Sequence, residues 1–185
     1  MFQNMTFSNY KKLNPVASLT VTAMSIAIGT ALAIMSKQLF GNLPIRLDLS
    51  VMAVLLMSLF FGFPGGTITI VAIDVLSSIF FYPPFLPITF CKALTGLLFD
   101  VCLTKHRQNR AKIFFILLAN ALIIDCVLMA VALYWLQGGT IGSMMLVRIG
   151  SGVMNIGLFW RFLYGIYPKL ENPLKRILSR KEGGR

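Results

Sequence analysis

Apolar positions in this chain come in long unbroken runs, without the alternation of a half-buried strand or the single stripe of a surface helix. Six runs stand out, at about residues 16–36, 47–61, 67–81, 88–104, 111–136 and 144–164. Breaker residues separate them. Residues 1–15 are polar, and Pro15 suits the first turn of a helix. Lys37 and Gly41-Asn42-Leu43-Pro44 mark the end of the first run, and Gly62-Phe63-Pro64-Gly65-Gly66 divides the second from the third. Tyr82-Pro83-Pro84-Phe85-Leu86-Pro87 follows the third. A helix crossing lipid needs about 20 predominantly apolar residues, because its backbone groups must bond within the segment. The pattern predicts an all-α membrane protein of six transmembrane helices. It forms one domain over residues 1–185, with tails at 1–15 and 167–185. The second and third runs have only 15 residues each, so four spans with a re-entrant hairpin at 62–66 is the alternative. The absence of polar linkers favours six.

Composition agrees with that pattern. Apolar residues make up 57% of the chain and charged residues 12%, against about 25% charge in a soluble domain. Seventeen Lys and Arg against six Asp and Glu give a net charge of +11, which in a soluble chain would point to nucleic acid. Here the basic residues cluster beside apolar runs: Lys11 and Lys12; Lys105, Arg107, Arg110 and Lys112; and Lys169, Lys175, Arg176, Arg180, Lys181 and Arg185. That is the positive-inside pattern, and it places both termini in the cytoplasm of a multi-pass cell-membrane protein. No nucleic-acid partner is expected.

Reactive chemistry is sparse. Cys91, Cys102 and Cys126 lie in apolar runs without a Cys-x-x-Cys, and the only histidine, His106, sits in a basic loop. A metal centre needs a cluster of such ligands, so neither metal nor cofactor is expected. The sequence also lacks a Gly-x-Ser-x-Gly, a His-Glu-x-x-His and a Gly-rich phosphate loop, and the expectation is no enzyme.

Charges inside the spans need a reason, since each costs about 2.5–3.5 kcal/mol to insert. Asp74 sits midway in the third run, Lys92 and Arg148 about one turn into the fourth and sixth from the outer side, and Asp125 midway in the fifth. Asp100 and Arg161 fall towards inner ends. Pairing of Asp74 with Lys92 or Arg148, and of Asp100 with Arg161, would offset the cost. On the outer half, Lys37, Arg46, Lys92 and Arg148 face only Asp48 and Asp74. The two cations left over predict an outward-facing site for a carboxylate or phosphate. Asp125 has no evident charged partner at its depth, leaving protonation or a hydrogen bond to Asn120 or Asn155. In the first run, Ala23, Ala27 and Ala31 recur every four residues, with Ser25 and Gly29 on the adjacent stripe. Such spacing lets helix backbones approach closely in lipid.

These residues resemble the substrate-binding S component of energy-coupling factor (ECF) vitamin transporters. Three features carry the resemblance: the alanine-spaced first helix; the block Ile45-Arg46-Leu47-Asp48, Phe61-Gly62-Phe63-Pro64-Gly65-Gly66 and Ile73-Asp74-Val75-Leu76; and Lys92-Ala93-Leu94-Thr95-Gly96. The Arg46 stretch and the aromatic-proline loop before Lys92 are most similar to the folate branch. The resemblance implies six helices in a prokaryotic plasma membrane. It also implies a transmembrane coupling subunit docked on the Ala23, Ala27 and Ala31 face, two ATPase subunits, and a vitamin held near the outer loops. Folate suits the charged inventory. Its glutamate tail would meet Lys37, Arg46, Lys92 and Arg148, its pterin edge would donate to Asp74, and Phe81, Tyr82, Phe85 and Trp135 would stack on its rings. Another anionic vitamin such as pantothenate, a membrane-embedded lipid-modifying enzyme and a passive scaffold are the alternatives.

Overall fold

The computed structural model describes residues 15–40, 47–81, 85–103, 110–137 and 141–166, together with Lys169. Among these residues every regular element is helical, and six rods follow in order. They are α1 (Pro15–Phe40), α2 (Val51–Phe61), α3 (Gly65–Phe81), α4 (residues 86–103), α5 (residues 110–137) and α6 (residues 141–166). Three rods contain wider π-helical turns: Phe99–Leu103 in α4, Asn120–Leu128 in α5 and Phe162–Ile166 in α6. The chain is all-α, as the apolar runs predict. Three segments are long and apolar enough to cross a membrane: Val16–Leu39 of α1, Leu86–Leu103 of α4 and Ala111–Leu136 of α5.

α2 is the centre of the bundle. Eight of its 11 residues are buried, and Val54 and Leu55 have no exposed surface. They join Phe99 from α4, Leu117 from α5 and Phe159 from α6 in one apolar cluster. A helix of 11 residues is about 16 Å long, shorter than the hydrocarbon core, and α2 packs against α1, α3 and the π turn of α4. α1 is peripheral: only 11% of its apolar window is buried. A second, smaller cluster, with Cys91 from α4 and Ile124, Met129, Ala132 and Leu133 from α5, ties α5 to α4.

Small residues set the close approaches. A β-carbon on Gly29 would run into the Ile73 side chain and lie 3.1 Å from Ala53 Cβ, so α1 reaches α2 and α3 through that glycine. A β-carbon on Gly96 would lie 2.7 Å from Thr67 Cα, which brings α4 against the start of α3. Between α2 and α3, Gly62 adopts φ 63° and ψ −150°, a region essentially closed to residues with a β-carbon. Its N–H donates to Ser58 O at 2.9 Å.

Two boundaries differ from the sequence expectation. α1 continues through Lys37 to Phe40, with the Lys37 ammonium bonded to Ser77 of α3. α2 starts at Val51: Asp48 Oδ1 accepts the Ser50 N–H at 3.1 Å and also the Ser50 hydroxyl, forming a turn at its entrance.

Asp100 makes a contact that the list of charged side chains did not suggest. Asp100 is wholly buried and receives the N-terminus of α3. Gly66 N donates to Oδ1 at 2.9 Å, and Thr67 N and Oγ1 each donate to Oδ2 at 2.8 Å. The first N–H groups of a helix have no partner within it and carry its positive end, so they suit a buried carboxylate. Arg161 is exposed.

Candidate functional site

Six charged side chains gather at the end of the bundle where α1 finishes and α2 and α4 begin, one from each of the six rods or its entrance. Lys92 of α4 is the hub. Its Nζ lies 2.7 Å from Asp74 Oδ1 of α3 and 3.8 Å from Asp48 Oδ2 at the entrance to α2. Thr89, three residues earlier on the same face of α4, donates to the other Asp74 oxygen at 2.7 Å. Both oxygens of Asp74 are therefore engaged. Side-chain exposure is 15% for Lys92 and 9% for Asp74, which makes this a buried, hydrogen-bonded ion pair.

α1 joins through Lys37, whose Nζ donates to Ser77 Oγ at 3.2 Å, and Ser77 in turn donates to the Asp74 carbonyl at 3.2 Å. The Lys37 charge also acts on the Asp74 carboxylate. Ser36 accepts the Leu49 N–H at 3.2 Å, fixing the end of α1 to the entrance of α2 beside Asp48.

α5 and α6 complete the set. A β-carbon on Gly152 would lie 3.3 Å from Ala121 Cβ, and this contact fixes the antiparallel register of the two helices. Asp125, four residues beyond Ala121, thus stands level with Arg148, four residues before Gly152. The Arg148 charge acts on Asp125, and both Arg148 and Asp125 act on the Cys91 thiol of α4. Asp125 therefore stands within the field of Arg148, a neighbour that sequence depth alone did not provide. Its inclusion changes the count: among the described residues the cluster holds three cations, Lys37, Lys92 and Arg148, and three carboxylates, Asp48, Asp74 and Asp125.

Of the residues singled out from sequence, Lys37, Asp74, Lys92 and Arg148 come together here. Phe85 lies half-buried at the entrance to α4, where its carbonyl accepts the Ile88 and Thr89 N–H groups at 2.9 and 3.1 Å. Trp135 is 74% exposed, on the outside of α5. Arg46 and Tyr82 lie outside the described residues. Thr89 and Ser77 were not anticipated; their three-residue spacing from Lys92 and Asp74 was the available signal.

Two further features lie away from the charges. Ala23, Ala27 and Ala31 are all exposed on α1, while Gly29 and Ala33 on its other side are buried. Near the opposite end of the bundle an apolar crevice of about 370 Å³ opens among Thr22, Met57, Phe61, Phe63 and Ile68. No family model matches the sequence, and no curated protein sequence matches it.

Proposed function

We propose that this chain is the substrate-binding membrane subunit of an ECF-type vitamin uptake transporter, with folate as its vitamin. In this reading the six-helix bundle sits in a prokaryotic plasma membrane with the short α2 enclosed at its centre, both termini are cytoplasmic, and the charged end faces outward. A transmembrane coupling subunit docks on α1 and two ATPase subunits supply the energy, so the chain binds and delivers substrate without catalysing a reaction. Arg148 and Lys37 meet the anionic end of the vitamin, while Lys92 stays committed to Asp74 and Asp48.

The observation that supports this reading best is the division of α1 into two small-residue faces. Gly29 is consumed by packing inside the chain, whereas Ala23, Ala27 and Ala31 remain outside it. Exposed small residues at that spacing leave room for another helix to approach closely, as the resemblance requires of a docking helix.

The test is the double variant Ala23→Trp with Ala27→Trp. Folate affinity of the solitary protein should stay within a few-fold, and folate uptake by cells supplying the other subunits should collapse. Retained uptake would show that this face merely meets lipid, and joint loss of affinity and uptake would show a fold defect.

A further inference from the structure

Among the described residues, two buried carboxamide side chains have an oxygen that the surrounding packing leaves unmatched. Asn120 and Asn155 are 3% and 7% exposed, and the side-chain carbonyl oxygen of each finds no hydrogen-bond donor among the described residues. A buried acceptor without a donor loses its hydration and regains nothing, whereas a leucine at either position would carry no such penalty.

Their positions are related. Asn120 lies one residue from the Ala121–Gly152 contact and Asn155 three residues from it, both towards the same end of the bundle. At about 1.5 Å per residue the two differ in height by about 3 Å, on helices packed against each other. Asn120 also begins the π-helical stretch of α5, and such wide turns are frequent at functional sites. Arg148 stands seven residues from Asn155 towards the charged end, about 10 Å along α6.

Asp74, the acceptor that sequence reasoning assigned to a pterin edge, has one oxygen on Lys92 and the other on Thr89. Using it for a ligand would break that arrangement. The two carboxamide oxygens carry no such commitment.

We propose that Asn120 and Asn155 form an acceptor site inside the bundle for the N–H-bearing edge of an elongated ligand, a flat heterocycle with neighbouring ring and amino donors, whose anionic end lies towards Arg148. The proposal rests on the vitamin-binding reading above and moves the donor-recognising residues from α3 to α5 and α6.

The test uses Asn120→Leu and Asn155→Leu in the full-length protein. The first readout needs no ligand: thermal unfolding in detergent of protein freed of bound small molecules. Unpaired carboxamides predict midpoints equal to or above the wild type, and a clear fall in both variants would mean the amides are paired within the fold, overturning the proposal. The second readout is binding of folate and of 4-aminobenzoylglutamate, which keeps the anionic tail and lacks the pterin. Each variant should lose roughly tenfold or more in folate affinity, in keeping with a lost buried hydrogen bond, with the tail probe unchanged. Unchanged folate affinity, or equal loss of both probes, overturns the acceptor site. If the wild type binds neither probe, the folate reading fails by itself. The site is then judged by mass spectrometry of small molecules copurifying with wild type and variants. An N–H-bearing compound present in the wild type and lost from both variants upholds the site, and any other result overturns it.

Discussion

Lys92 and Asp74 form a buried ion pair at 2.7 Å between α4 and α3, and Thr89 fixes the second oxygen of that carboxylate. Removing one partner of such a pair strands the other charge, at a cost of about 3–5 kcal/mol. Lys92→Met should therefore unfold far more readily than the wild type in detergent. The double variant Lys92→Met with Asp74→Leu should recover much of the loss, since apolar replacement of a whole buried pair is often neutral. Equal stability of the single and double variants would show that the pair is not the origin of the effect.

Asp100 should matter to folding and not to charge balance at the opposite end. Asp100→Ala leaves the Gly66 and Thr67 donors without their acceptor, a loss of about 1–3 kcal/mol or more. Asp100→Asn keeps one acceptor oxygen and should fall between the alanine variant and the wild type. Thermal unfolding of the three proteins side by side gives the order.

The two faces of α1 should respond oppositely to added bulk. Gly29→Leu drives a side chain into Ile73 and Ala53, and overpacking of this kind costs about 1–3 kcal/mol or more. Ala27→Leu adds its bulk to an exposed position and should leave stability within about 0.5 kcal/mol. A similar loss in both variants would mean that the alanine face is packed inside the folded chain.

Arg148 separates binding from folding better than Lys92 does, because it is only partly buried and is not the hub of the ion-pair network. Arg148→Gln should weaken folate binding about tenfold, or about 1.4 kcal/mol. Titration calorimetry on the purified protein checks this, and unchanged affinity would remove Arg148 from the ligand site.

Transport should require partners. In proteoliposomes the chain alone should bind folate without accumulating it, even with ATP enclosed, and uphill uptake by the isolated chain would place it in a different class of transporter.

Hydrophobicity is a property of consecutive residues, so the apolar runs by themselves determined that the described residues are helical and that a break at 62–64 divides α2 from α3. The pairing of Asp74 was legible as far as Lys92 or Arg148, because a buried charge demands an opposite one and few candidates existed, and the structure chose Lys92. Other partners were invisible in the sequence for identifiable reasons. Asp100 accepts two backbone N–H groups at the start of α3, and a list of side chains contains no such donors. Asp125 meets the Arg148 field only because Ala121 and Gly152 set the register of α5 against α6. Likewise, Ala23 and Gly29 belong to equally plausible small-residue stripes when read along the chain. Which one faces inward was decided by the placement of Ile73 and Ala53, since a helix sequence specifies its faces but not what packs against them.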